Sequence, residues 1–232
     1  MRRSSILKSA DPRAFGSRLN FWIDASDTNS LNISDGTATA NDKSGKGYHT
    51  TSSTPPSLGT IASKPALIFN GYGQYLSVPL AAFPGQTNFT IIGVFQGSST
   101  SSGGAYPAGC GLINISYNGD NPEIRFLAGD LILAYWNGDY LYKPSATINR
   151  SVFELSYVIG GYSSCSRNGS LLGSGTRSGT WNAINEFSIG RYNLISAFRA
   201  GNLQELIIIN GLCRDAELAK LRNYLNKKWS VY

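Results

Sequence analysis

A chain of 232 residues that is 41% hydrophobic and 15% charged, with 13 Tyr, 10 Phe and 4 Trp, has enough apolar surface to offset chain entropy, which excludes disorder and fits one large domain. No apolar run reaches the roughly 20 residues of a membrane span, and the N-terminus lacks the apolar stretch of a secretory signal. The formal charge of +6 is uneven: Arg2, Arg3, Lys8, Arg13 and Arg18 face only Asp11 in the first 18 residues, so basicity belongs to an N-terminal arm and a general nucleic-acid surface is not indicated.

Residues 1–18 have no sustained apolar period and are punctuated by Asp11-Pro12 and Gly16, which reads as an arm preceding the domain. Leu19 to Ile23 is a first strand. Residues 24–64, rich in Ser, Thr, Asn, Asp, Gly and Lys, read as long surface loops holding short extended pieces. Strands then come densely: Ala66 to Phe69, Tyr75 to Val78, Phe89 to Phe95, Gly111 to Ser116, Glu123 to Leu127, Leu131 to Trp136 and Tyr140 to Tyr142. Val152 to Ile159, Tyr162 to Arg167, Glu186 to Ile189 and Leu203 to Ile209 complete the set. Short β-rich runs with regular turn signals mark a sandwich or barrel. Gly97 to Gly111 is Gly/Ser-rich and reads as a loop, and Asn168-Gly169 predicts a two-residue hairpin of type I′. Only the C-terminus has helical period. From Asp215 to Lys228, Leu218, Leu221, Leu225 and Trp229 make one stripe, with Asp215 and Glu217 in the first turn and Lys227 and Lys228 in the last. Cys110, Cys165 and Cys213 form no CxxC and predict neither a disulfide framework nor a zinc site.

Three blocks carry a resemblance: Phe21-Trp22-Ile23-Asp24-Ala25-Ser26-Asp27, Asp42-Lys43-Ser44-Gly45-Lys46-Gly47, and Lys64-Pro65-Ala66-Leu67-Ile68-Phe69-Asn70-Gly71 with Tyr75 to Val78. Their order resembles that of concanavalin A-like, laminin G-like jelly-roll domains. Gly201 to Ile208, followed by Asp215-Ala216-Glu217 and Tyr224 to Trp229, is similar to the closing strand and helix of bacterial and bacteriophage members. The resemblance implies an all-β, two-sheet antiparallel jelly-roll sandwich with one C-terminal helix over residues 19–232. Two positions depart from it: Ala40 stands where relatives often have Trp, and Asn70 where an Asp is usual.

Glucanases of this fold need two carboxylates about 5 Å apart on one strand face. Here Glu123, Glu154, Glu186 and Glu205 are isolated, so no catalytic residue is assigned. His49 has no nucleophile motif beside it, and the glycines of residues 169–179 lack the Gly-Lys-Ser/Thr end of a phosphate loop. No cofactor is expected except calcium, which such sandwiches hold through rim oxygens; the candidates are Asp24, Asp27, Asp35 and Asp42, with Asx-turn roles as the alternative for Asp24 and Asp27. For sugar contact the candidates are Tyr135, Trp136, Tyr140, Tyr142, Trp181 and Tyr192, of which alternate strand residues must face the core. Five Asn-x-Ser/Thr triplets, at Asn32, Asn88, Asn114, Asn149 and Asn168, read as chance in a chain rich in Asn and Ser.

Three function classes follow. The resemblance, the arm and the missing catalytic pair lead to the expectation of a non-enzymatic structural or adhesion subunit of a virus particle, most plausibly a bacteriophage virion. Its partners would be other virion proteins, with a homo-oligomer and a surface glycan also open, and without membrane or nucleic acid. Arg2, Arg3, Lys8, Arg13, Phe15 and Arg18 would dock the arm on a neighbour. The alternative is a secreted carbohydrate-binding, lectin-like module, and the third class is a degenerate glycosidase.

Overall fold

The computed structural model describes residues 11–84, 88–102, 111–116, 123–127, 131–136, 139–140, 149–158, 160–176, 186–192 and 197–232. The strands in chain order are β1 (Leu19–Asp24), β2 (Leu31–Ser34), β3 (Thr37–Ala40), β4 (Ser57–Ile61), β5 (Lys64–Asn70), β6 (Leu76–Ser77), β7 (Phe89–Ser102), β8 (Gly111–Ser116) and β9 (Glu123–Leu127). Then come β10 (Leu131–Trp136), β11 (Asp139–Tyr140), β12 (Ser151–Tyr157), β13 (Tyr162–Arg167), β14 (Ser170–Thr176), β15 (Glu186–Ile189), β16 (Arg191–Tyr192) and β17 (Ala197–Asn210). Helix α1 (Asp215–Trp229) closes the chain, and 3-10 turns occupy Pro12–Arg18, Thr28–Ser30 and Leu80–Ala82.

Among the described residues the strands form two antiparallel sheets, which makes the protein an all-β jelly-roll sandwich with one C-terminal helix. The large sheet runs β14-β13-β12-β7-β17-β5-β4-β3-β2, with β1 and β16 also paired to β17; the small sheet runs β11-β10-β9-β8-β15-β6. Strand β17 pairs with β5 through Ala200 to Leu203 and with β1 through Glu205 to Ile209, while β7 runs along its other side.

The centre of the large sheet, β1, β7, β12 and the second half of β17, is buried on both faces. Its alternation sends Phe21, Ile23, Phe89, Ile91, Phe95, Leu203, Leu206 and Ile208 into the core between the sheets. The opposite face, with Trp22, Ile92, Val94, Val152, Ile207 and Ile209, packs against Leu221, Leu225 and Trp229 of α1. A bulge between Leu203 and Glu205 lets Leu203 and Leu206 both face the inter-sheet core while Glu205 turns toward the helix. The helix follows its predicted stripe. Its first turn satisfies the Arg214 N–H through the Glu217 carboxylate (2.8 Å), and it ends at Ser230 in the left-handed region (φ 55°). The predicted hairpin is present, with Asn168 at φ 51° and Gly169 at φ 79°, the conformation a type I′ turn demands.

The fold corrects three expectations. The lead-in is not free of the domain: Pro12 is buried, Phe15 packs on the helix-side core, and Arg18 reaches Glu217 (3.0 Å) and the carbonyl of Leu212 (2.8 Å). Residues 12–18 therefore pack as part of the sandwich, because Phe15 covers apolar surface of the helix-side core. Residues 24–64 hold three true strands, β2 to β4. The Gly/Ser run after Phe95 continues β7 as far as Ser102, since β17 offers it a backbone partner; residues 103–110 lie outside the described set.

Candidate functional site

Two surfaces bring chemistry together, one under the helix and one on the small sheet. Under the helix, Glu205 is fully buried and accepts four hydrogen bonds: from Trp22 Nε1 (2.8 Å) and Tyr224 Oη (2.9 Å) at one oxygen, and from Lys228 Nζ (2.8 Å) and Trp229 Nε1 (2.6 Å) at the other. Lys228 also pairs with Asp24 (2.6 Å), and Asp24 pairs with Lys43 (2.8 Å), whose ammonium meets Asp27 (2.7 Å) and lies 4.3 Å from the centroid of the Trp22 ring. Burial raises the proton affinity of Glu205 above the ordinary glutamate value in spite of Lys228. Burial pushes Asp24 the same way, but Lys228 and Lys43 outweigh it and hold its carboxyl below the usual range.

Residues of the first two resembling blocks and of the closing strand and helix thus converge on one clasp between β1, β17, the Asp42–Gly47 loop and α1. Asp42 shapes that loop, accepting from Trp22 N (3.0 Å), Ser44 N (2.9 Å), Ser44 Oγ (2.6 Å) and Tyr48 N (3.1 Å). His49 Nδ1 accepts from the Asp42 N–H (3.0 Å). Of the calcium candidates, Asp24 and Asp27 pair with the Lys43 ammonium and Asp42 is committed to N–H and O–H donors; among the described residues no three His, Cys, Asp or Glu side chains are grouped to hold a metal. Asp35 is exposed in the β2–β3 turn. Further along the helix, buried Glu154 faces Arg222 (3.2 Å), and burial lifts its carboxyl to about 7 against that cation.

The arm residues divide in the same way. Arg13 pairs with Asp11 (2.6 Å), and its guanidinium lies 5.8 Å from the Trp22 ring centroid, while Phe15 and Arg18 are engaged by their own domain. Arg2, Arg3 and Lys8 lie outside the described residues. Cys165 and Cys213 are free and buried, with thiols pushed up to about 12 and about 11 by burial, which leaves them inert at neutral pH; Cys110 lies outside the described residues.

The small sheet has a different chemistry. Leu76, Phe187, Ile189, Ile113 and Ile115 face the inter-sheet core, so the alternating positions Ser77, Ser188 and Asn114, successive cross-strand partners, belong to the other face. Register carries that row on to Arg125 of β9 and Leu133 of β10. Two residues farther, Tyr135 stands opposite both Glu123 and Tyr140. Trp136, partnered with Asp139, falls in the alternate set that includes Ala134, Ile124 and core-facing Ile115. Of the sugar-contact candidates, register therefore groups Tyr135 and Tyr140 on the face away from the core and separates Trp136 from them. Tyr192 is placed on β16 opposite Ala197, and Tyr142 and Trp181 lie outside the described residues. At the β6 edge of the same face, the Asn114 amide and the Ser188 hydroxyl donate to the carbonyl of Arg191, whose guanidinium reaches Ser77 Oγ (3.4 Å) and stacks 3.9 Å from the centroid of Tyr75.

No protein-family model matches the chain, and no curated protein matches it. Solved structures do. Domain 4 of AbnA, an extracellular arabinanase from Geobacillus stearothermophilus solved with arabinotriose, is 15% identical, with a TM-score of 0.60 over 88% of this chain and 98% of that one. The receptor binding domain of botulinum neurotoxin type G is 13% identical, with a TM-score of 0.57 over 90% of this chain and 51% of that one. Trypanosoma rangeli sialidase in complex with sialic acid is 12% identical, with a TM-score of 0.57 over 90% of this chain and 33% of that one. The chain therefore spans about half of the toxin domain and a third of the sialidase, and at these identities the likeness is one of fold.

Proposed function

We propose that this protein is a non-catalytic, lectin-like carbohydrate-binding β-sandwich, with the face of the small sheet away from the core as its binding surface. The observation that carries the reading is the register that sets Tyr135 opposite Tyr140 and Glu123 beside a row of Ser and Asn positions. Aromatic rings offer apolar area to the CH faces of a sugar, and half-exposed Ser77 offers a hydroxyl to it, whereas Ser188 and Asn114 are fully buried and support the face from beneath. The neighbours support the same direction. The arabinanase domain, similar over almost its whole length, was solved with arabinotriose, and a botulinum toxin binding domain was solved in complex with SialylT. The comparisons lend no support to the expected virion subunit and favour the carbohydrate-binding alternative over it.

The non-catalytic reading is supported by three acids that are committed elsewhere, while Glu123 and Glu186 fall on the proposed face by register. Asp24, Glu154 and Glu205 are buried and tied to lysine or arginine beneath the helix, away from the proposed surface. A glycan array followed by titration calorimetry tests the reading. Binding should appear without release of reducing sugar and should fall at least tenfold in Tyr135→Ala and in Tyr140→Ala. An array without hits, or hits unchanged by both substitutions, would overturn it.

A further inference from the structure

The clasp under the helix sets an amine against a carboxyl in a closely packed site. Asp24 is 4% exposed and Glu205 0%, and Glu205 accepts from the buried indoles of Trp22 and Trp229. Lys228 Nζ stands 2.6 Å from Asp24 Oδ2 and 2.8 Å from Glu205 Oε2, and lies 4.8 Å from the centroid of the Trp229 ring. The other Asp24 oxygen, Oδ1, accepts from Ser26 N–H (3.0 Å) and Ser26 Oγ (2.7 Å). Ion pairs placed this deep carry a desolvation penalty, which is relieved when the two charges condense to a neutral amide and one water leaves for bulk. Well-oriented intramolecular pairs reach effective molarities of roughly 10⁵–10⁸ M, enough to drive a condensation that free amine and carboxylate do not undergo in water. The Lys228 side chain keeps 22% of its surface exposed, which gives that water an exit.

We propose that Lys228 and Asp24 join in an intramolecular isopeptide bond, with Glu205 as the proton shuttle, so that α1 becomes covalently tied to β1. One proton passes from the Lys228 ammonium to Asp24 Oδ2, which frees the nitrogen lone pair and makes the carboxyl an acceptor. The Nζ–Cγ bond forms, and the negative charge that develops on Oδ1 is met by the two Ser26 donors. Glu205 takes a second proton from the nitrogen and returns it to Oδ2; the Cγ–Oδ2 bond breaks and water departs. Nothing is oxidised or reduced. Burial raises the proton affinity of Glu205, which suits it to hold that proton in transit. Lys43 also reaches Asp24 Oδ2 (2.8 Å), but its other partner is Asp27, whose side chain is 33% exposed, and it has no buried acid to relay its protons. The ion-paired clasp is the precursor and the amide its matured form, whatever the small sheet binds.

Intact-mass spectrometry of the denatured full chain, sampled from refolding onward, tests it. The wild type should become lighter than its sequence by one water, and a tryptic digest should yield a branched species joining residues 19–43 to residues 228–232. Lys228→Arg, which keeps the charge without the nucleophile, and Asp24→Ala should both stay at full mass. Glu205→Gln should close at least tenfold more slowly, with circular dichroism confirming that each variant is folded. A folded wild type that keeps its full mass overturns the proposal. So does a water loss confined to one peptide, or a branch that ends at Glu205 or Lys43. Should a variant fail to fold, the wild-type mass and branch site decide by themselves.

Discussion

The two faces of this sandwich differ in what their polar groups are for. On the helix side of the large sheet, Asp24, Lys43, Glu205, Tyr224, Lys228 and two tryptophans satisfy one another in a closed network with little exposure. At the β6 edge of the small sheet, Ser77, the adjoining Tyr75 and Arg191 of β16 are half-exposed. A network that spends its hydrogen bonds internally holds a helix in place and leaves little to offer a ligand. The densest motif in the chain is therefore a structural clasp, and recognition chemistry is sought on the plainer face.

Breaking the clasp should have the largest effect. Lys228→Met leaves Asp24 and Glu205 buried without their shared cation and should cost about 3–5 kcal/mol of unfolding free energy in a urea titration. A loss below about 1 kcal/mol would show that the network is not what docks α1. Leu225→Ala, which removes a fully buried anchor of the same interface, should cost about 2–5 kcal/mol by the same assay.

Glu154 sharpens the comparison through pH. Its folded carboxyl, at about 7, lies above the ordinary 4.5, so the folded state binds more protons than the unfolded chain between those values. Stability contributed by this group should fall as pH rises from about 4.5 to 7 and stay flat above. Asp24 has the opposite sign: its folded value lies below the ordinary 3.8, and its contribution is present above that value and lost as pH falls through the lower one. Melting temperatures of Glu154→Gln should lose the decline between about pH 4.5 and 7 while keeping the acid collapse; an unchanged decline would point to another group.

Gly169→Ala forces a side chain onto φ 79° and toward the Arg222 guanidinium, and about 1 kcal/mol of destabilisation should appear in thermal melts. The smallest effect on stability should come from Tyr135→Ala combined with Tyr140→Ala, within about 0.5 kcal/mol, accompanied by the large loss of glycan binding. If stability falls as much as in Leu225→Ala, those tyrosines belong to the core and the proposed face moves.

Local chemistry made much of this architecture legible. Strands β8, β9, β10 and β15 follow from short β-rich runs bounded by turn residues, β13 from the hairpin signal that follows it, and α1 from the stripe ending at Trp229. Asn168-Gly169 announced its own turn. Asp35-Gly36, with φ of 48° and 75°, carries the same signal for the β2–β3 hairpin, yet it is hidden in a polar stretch whose strands have few apolar residues. Such strands exist because neighbours supply hydrogen bonds, and the extension of β7 through Gly97 to Ser102 exists because β17 runs beside it.

The sequence by itself determined the class of fold, the hairpin turn, the helix and its buried stripe, since these depend on periodicity and on the φ range each residue tolerates. Only tertiary structure decided the role of the acidic and basic blocks. Asp24, Asp42, Glu205 and Lys228 are separated by up to 204 positions, and whether a carboxylate meets an ion, a sugar or a lysine depends on which distant side chain the packing brings within hydrogen-bond reach. The same physics folded Phe15 and Arg18 of the basic lead-in back onto their own domain, because the nearest unburied apolar surface and the nearest free carboxylate, Glu217, belonged to the chain itself.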